Sequence, residues 1–551
     1  MKPDLESLDY LLQTDLINEL LPTFGKEQWQ PLYLSREAPD RDFGVWCALL
    51  DNEAAARALE RDSWDLSIGD GGPGFSKSWP DGEETITYHP FGMDEGVRPL
   101  VLHRSFHGAF PPYCELDLEF RLYHNLAEEK TSGRLVTFDA SGREIEVVRV
   151  SPSEVVANLK HLRQFQAGTQ LHLAFFIDSV RYSNLRLEDV PKDQQERDES
   201  TERSRWTFHV SKSDFVSERK TFSRLLGKVI LPPAPREKAG IWPYEPDEDA
   251  KEVTFIIGAD EDGEAVEHTS DPDSLANYFG ANPEAPHYLT PVYFRREVLA
   301  KYYAEPDRYN VRDGYLSCLG LWGCQIDNNH PTHVVVFLGD LGRDLPYEER
   351  LHWKQFNVPP GGGVSETNFR RSFLAQWTEA QAPDLVFRDE YSLIRKEWNE
   401  THGWDLFLEP GSGDEHLIDT VRTPVTNSQA EMDEQVLTLT KLLIDSLNEK
   451  AVETQGIEID EGTKGIGKLA SFFEKEGFAE RESVIRFLRD LQRLRSTGSG
   501  HRKGKAYEKA LTQMGLDAER RPDAVARLLE EATAALRAIR VRFTGASTSG
   551  D

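Results

Sequence analysis

Apolar and polar residues alternate along much of the first 230 positions. Residues 116–123, 134–138, 144–150 and 170–177 each keep a period of two, which predicts strands. Turn formers such as Ala140-Ser141-Gly142 separate them, as hairpins require. The pattern resumes at 206–210 and 228–231, after a polar stretch over 191–205 that reads as an exposed loop. Pro232-Pro233-Ala234-Pro235 then opens a linker. From 288 to 409 the patterns mix. Residues 293–303 read as a helix and 334–338 as a short apolar strand. Ser365 is placed to cap a helix bearing Phe369, Phe373 and Leu374.

From Asn427 onward the period changes to three and four. Met432, Val436, Leu439, Leu443 and Leu447 form one stripe, and Ile466, Leu469, Phe472 and Phe473 a second. Val484, Ile485, Leu488, Leu491 and Leu494 form a third. A fourth starts near His501 with Ala506, Tyr507, Ala510, Leu511 and Met514. The fifth carries Val525, Leu528, Leu529, Ala532, Leu536 and Ile539. Five amphipathic helices in sequence predict a helical bundle. The fold class expected is therefore α+β and multidomain. A β-rich domain spans 1–234, a mixed α/β domain 235–425, a bundle 426–545 and a disordered tail 546–551.

Composition narrows the function. The chain has 551 residues, 95 acidic and 64 basic, with a formal charge of -31. Such a chain is no general nucleic-acid coat, so any polyanion contact must be local. Residues 245–273 hold twelve acids and one lysine, without ligand spacing, and read as a solvated acidic loop enclosing one strand at 253–257. The four cysteines form no C-x-x-C pair, and Cys318 and Cys324 sit among apolar residues as packing groups. No structural metal or cofactor is expected, and few cysteines suit a reducing compartment. No leader pattern and no run of 18 apolar residues is seen, so the expected location is cytoplasmic, with no membrane.

One stretch reverses the charge. Residues 481–510 carry nine Lys or Arg and three acids, a net of +6. Within it lies Arg495-Ser496-Thr497-Gly498-Ser499-Gly500-His501-Arg502-Lys503, an arginine and a histidine on either side of a glycine-serine turn between two helices. RNA cleavage by its own 2′-OH needs a base, positive charge for a phosphorane, and an acid for the leaving oxygen. Histidine moves protons near neutral pH, and the arginine fork donates two hydrogen bonds to phosphoryl oxygens. The new helix offers free N–H groups at its start. Arg502 and Lys503 are expected to keep His501 neutral, able to act as a base. Arg493, Arg502, Lys503 and Lys505 are candidates for holding an RNA backbone. One motif supplies one histidine, so a homodimer pairing two bundles is expected.

These residues resemble the HEPN family, whose hallmark is an arginine, a polar residue, a short spacer and a histidine within a helical bundle. Arg495, Ser496 and His501 match those positions, and the resemblance covers 427–543. It implies a dimeric bundle that cuts RNA without metal, often in prokaryotic toxin, abortive-infection or anti-phage systems. The long region before it would then sense a phage or protein trigger. Alternatives are a non-catalytic adaptor that docks nucleic acid or a nucleotide on the same basic stretch, and a plain basic loop. A separate activity around residues 361–371 is a further rival.

Other motifs are less complete. Gly69-Asp70-Gly71-Gly72-Pro73-Gly74 lacks the following helix of a dinucleotide fingerprint and reads as a turn. Gly361-Gly362-Gly363, before Arg370 and Arg371, lacks the Walker lysine and hydroxyl, as does Gly465-Ile466-Gly467-Lys468. His89, His103 and His107 read as isolated, hydrogen-bonded side chains. His330, His333, Asp340 and Asp344 lack supporting spacing for a metal.

Overall fold

A computed structural model of the chain describes all residues except 1–3, 61–73, 90–95, 214–217, 241–250, 331, 361–362, 375–379, 412–413, 415, 459–461, 499–503 and 546–551, with backbone alone for 371–374. Two compact units result, one of residues 1–139 and 143–248, the other of 140–142 and 249–551.

The first unit is built on one antiparallel sheet. Its strands are β1 (Trp29–Ala38), β2 (Arg41–Leu50), β5 (Val97–Pro99), β6 (Ala127–Glu129), β7 (Arg134–Phe138), β8 (Glu144–Val150), β9 (Glu154–Asn158), β10 (His172–Ser183), β11 (Glu196–Ser200), β12 (Ser204–Lys212) and β13 (Thr221–Leu231). A separate hairpin, β3 (Gly74–Ser78) and β4 (Thr85–His89), lies between β2 and β5 in sequence. The sheet order is β11-β12-β13-β10-β2-β1-β9-β8-β7-β6, with β5 pairing along Ala48–Leu50. Alternation puts Val45, Cys47, Leu49, Phe175 and Ile177 on one face. There they pack with Leu162 and Phe165 of helix α3 (Leu159–Thr169) and with Phe120 of α2 (Leu118–Tyr123). The other face sets Ala48, Leu50, Ala174 and Phe176 against Ala54 and Ala55 of α1 (Asn52–Glu60).

Two stretches of this unit depart from the sequence reading. Residues 118–123 form a helix, not a strand, because Asp117 accepts a hydrogen bond from the Phe120 N–H and caps it. The stretch 191–205 is not all loop, since β11 lies in it and pairs with β12 through Glu196–Ser200. Its side chains are polar because it is an edge strand facing water.

The second unit begins with small sheets: β14 (Thr254–Ala259) with β15 (Ala265–Thr269); β16 (Pro291–Arg295) between β20 (His333–Phe337) and β21 (Asn357–Val358); and the meander β17 (Tyr309–Arg312), β18 (Tyr315–Cys318), β19 (Trp322–Gln325). The helix expected over 293–303 begins later: strand β16 takes 293–295, and helix follows only as a 3-10 turn, Arg296–Leu299, and an α turn, Ala300–Tyr303. Ladder pairing of Tyr293 with Val335 overrides the local pattern. Ser365 does cap α4 (Glu366–Leu374), its Oγ accepting from the Asn368 N–H.

Six longer helices follow or include the expected stripes: α5 (Pro383–His402), α6 (Gln429–Thr440), α7 (Gly465–Lys475), α8 (Arg481–Gly498), α9 (Lys505–Gln513) and α10 (Arg521–Thr544). They share one apolar core, in which Phe387, Tyr391, Ile394 and Trp398 of α5 join the residues of α6 to α10. Buried Glu390 on α5 accepts hydrogen bonds from Arg537 and Arg540 of α10. The protein is thus α+β and multidomain, β-rich in its first half and helical toward its C-terminus. Among the described residues no helix is long and apolar enough to cross a membrane.

Candidate active site

The apolar stripe of α8 buries Val484, Ile485, Phe487, Leu488, Leu491 and Leu494. The helical period therefore leaves Arg486, Arg489, Arg493 and Ser496 along one outer face, all exposed. Arg495 follows the last buried leucine, at the edge between the two faces, and 34 % of its side chain is exposed. Its Nη1 donates to both carboxylate oxygens of Asp445, at 2.9 and 3.1 Å.

Asp445 is held by an irregularity. α6 passes directly into a π-helical turn, Lys441–Asp445, in which Leu442, Leu443 and Ile444 are all buried. The turn leaves Asp445 outside the core, facing the end of α8. Such turns are rare and recur at functional sites.

The end of α8 is finished by its own hydroxyls. Ser496 Oγ donates to the Arg493 carbonyl at 3.0 Å, and Thr497 Oγ1 to the same carbonyl at 2.8 Å. Both are back-bonds from a hydroxyl to the preceding turn, added to the helix's own hydrogen-bond ladder. Gly498, the last residue, lies against the Tyr507 ring, where an added Cβ would stand 3.0 Å from it. Tyr507 Oη accepts from Gln429 Nε2 at 2.9 Å, and burial pushes its phenol above the ordinary value. The end of α8 and the first turn of α9 are thus pinned together on α6. His501, Arg502 and Lys503 fall between these anchors and lie outside the described residues.

The charge reversal is only partly neutralised. Arg481 pairs with Glu474 at 2.7 Å and Arg493 with Asp490 at 3.4 Å. Among the described residues no acid lies within ion-pair distance of Arg486, Arg489, Lys505 or Lys509. Lys505, Lys509 and Gln513 share one side of α9, and Gln513 Oε1 accepts from Arg493 Nη1 at 2.8 Å. That contact brings the basic sides of α8 and α9 together into one exposed cationic face. Asp445 is the site residue that sequence reasoning missed. It sits 50 positions from Arg495 at the end of an apolar run, and no spacing rule links them.

The weaker motifs are accounted for by packing or fall out of view. His89 bonds Ser76 Oγ at 2.8 Å, and His103 stacks on Tyr33. His330 Nδ1 accepts two backbone N–H groups, while Asp340 accepts from Tyr288 Oη and Arg343. Buried Asp327 accepts from both the N–H and Oγ of Ser365, which organises the loop before α4. Residues 69–73 and 361–362 lie outside the described residues, and Arg370 pairs with Glu366 at 4.0 Å. Among the described residues no group of three His, Cys, Asp or Glu is placed to hold a metal, and all four cysteines are buried thiols. Compared with protein-family models, with curated proteins and with solved structures, the chain matches none.

Proposed function

We propose that the C-terminal bundle is a HEPN-type endoribonuclease that cuts RNA without metal, and that the larger region before it senses a trigger and regulates the cut. The observation that carries this reading is the placement of Arg495. It stands near the end of an arginine-lined helix, held by Asp445, six positions before His501 in the sequence.

In this reading the cationic face of Arg486, Arg489, Arg493, Lys505 and Lys509 lays the RNA backbone along α8 and α9, with Arg502 and Lys503 continuing it. His501 takes the proton of a ribose 2′-OH, whose oxygen attacks the adjacent phosphorus. Arg495 stabilises the charge on the phosphorane. The P–O5′ bond breaks and the leaving oxygen takes up a proton, giving a 2′,3′-cyclic phosphate and a 5′-hydroxyl. A second His501, from a partner bundle, supplies that proton in a homodimer. Asp445 is a positioning residue that fixes the guanidinium. The setting in prokaryotic anti-phage defence follows from the resemblance alone.

The Arg495–Asp445 pair also favours a second reading, a non-catalytic adaptor, because a guanidinium already matched to a carboxylate is a weaker phosphoryl ligand. Incubation of the full chain with RNA in excess chelator separates them. The nuclease yields fragments ending in cyclic phosphate, lost in His501→Ala, whereas the adaptor binds RNA and leaves it intact.

A further inference from the structure

Among the described residues, none covers the apolar face of hairpin β3–β4. Its register pairs Phe75 with Tyr88, Lys77 with Ile86, and Ser76 with Thr87. Directly opposed residues share a side and successive ones alternate. Phe75, Tyr88, Lys77 and Ile86 therefore occupy one face, which Trp79 and Glu84 extend by the same register. Ser76, Ser78, Thr85 and Thr87 occupy the other. Phe75 and Tyr88 are each 66 % exposed, and Trp79 and Ile86 each 60 %. The strict division into an aromatic side and a hydroxyl side is the pattern of a sheet with one face packed. Here about 500 Å² of apolar side chain faces water, at the upper end of what a monomer exposes in one patch. A two-stranded hairpin is marginal by itself in water, so whatever covers the face also stabilises it.

We propose that the cover is the same hairpin of a second copy of this chain, stacked face to face about a two-fold axis running along the strands. That operation places Phe75 over the partner's Tyr88, Lys77 over the partner's Ile86, and Trp79 over the partner's Glu84. The charges choose this arrangement. Lys77 Nζ lies 2.7 Å from Glu84 Oε1 on the same face, and both side chains are nearly half exposed. With the axis along the strands each lysine comes within reach of two glutamates. An axis across the strands would set Lys77 on Lys77. The area agrees with a modest interface, because two such faces together remove about 1,000 Å² from water, the lower limit for specific association. The face is therefore a self-complementary association site, separate from the bundle and independent of any nuclease activity.

Sedimentation velocity on the full chain, run from about 1 to 50 μM, tests this. The expected result is a mass that rises above 62.7 kDa with concentration. The double variant Phe75→Ser/Tyr88→Ser should lose one doubling step while keeping its melting temperature, since both residues are on the surface. Lys77→Glu alone should weaken that step at least ten-fold, and Lys77→Glu/Glu84→Lys should restore it. A wild-type mass independent of concentration overturns the proposal. So does an association that the double variant leaves unchanged, which would assign any dimer to another surface and this face to a different protein.

Discussion

Replacing Asp445 by Asn removes one charge and keeps an oxygen that can accept from Arg495. The ion pair is 34 % and 44 % exposed at its two ends, so water already screens it. Pairs of this kind contribute about 0.2–1 kcal/mol to stability, and the melting temperature should move by no more than about 2 °C. The catalytic effect should be larger and of two signs. With one neutral acceptor in place of the carboxylate the guanidinium is held less firmly, and single-turnover cleavage should slow about ten-fold, or about 1.4 kcal/mol in the barrier. RNA binding should tighten about five-fold, because a negative charge near the phosphate site costs about 1 kcal/mol at high dielectric. The assay is single-turnover cleavage of a labelled RNA in chelator, with affinity and melting measured on the same preparation. Slower cleavage with tighter binding and unchanged melting is the expected set. A rate equal to or above wild type with unchanged affinity would show that Asp445 is passive and refute its positioning role.

Other outcomes follow from the same structure. Arg489→Ala, on the exposed face of α8, should weaken RNA binding for all sequences alike and lower the slope of log K against log salt by about 0.7. Salt titrations with an unchanged slope would remove Arg489 from the binding face. Leu528→Ala, at a fully buried position of α10, should cost about 2–5 kcal/mol, read as a lower urea midpoint. Burial, then the charge of neighbouring His161, holds His124 down to about 4, and burial lowers His161 as well. The folded state thus keeps His124 neutral while the unfolded chain takes up a proton near the ordinary 6.5. Stability should fall as pH drops from about 6.5 to 4, by about 3 kcal/mol from His124 alone. His124→Gln should flatten that part of the pH profile in urea unfolding, and an identical profile would contradict the assignment.

Much of the fold was legible because burial leaves a periodic signature. The five helical stripes after Asn427 correspond to α6 through α10, and the alternating runs at 134–138 and 144–150 to β7 and β8. Misreadings arose where a period was ambiguous or a partner was distant. Residues 116–122 alternate, yet the Asp117 cap winds Leu118–Tyr123 into a helix that buries Phe120 and leaves Leu118 and Leu122 about 70 % exposed. Edge strand β11 carries no apolar face to read, since hydrogen bonds to β12 alone define it. At the candidate site, the sequence named Arg495 and the turn after it from local chemistry. Asp445 was invisible because it lies in a π turn, where the α-helical period no longer tells which residues share a face, 50 positions from Arg495. The self-complementary face of β3–β4 was equally hidden, because its meaning lies in which residues of two strands share a side.

Incubation of a defined RNA with the full chain in excess chelator, comparing wild type with Arg495→Ala and His501→Ala, tests the central claim most directly. Wild type should release fragments with 2′,3′-cyclic phosphate ends, and each variant should lose this cleavage by at least a hundred-fold while melting within about 2 °C of wild type. Cleavage that Arg495→Ala or His501→Ala leaves undiminished, or cleavage by wild type that chelator abolishes, would contradict it.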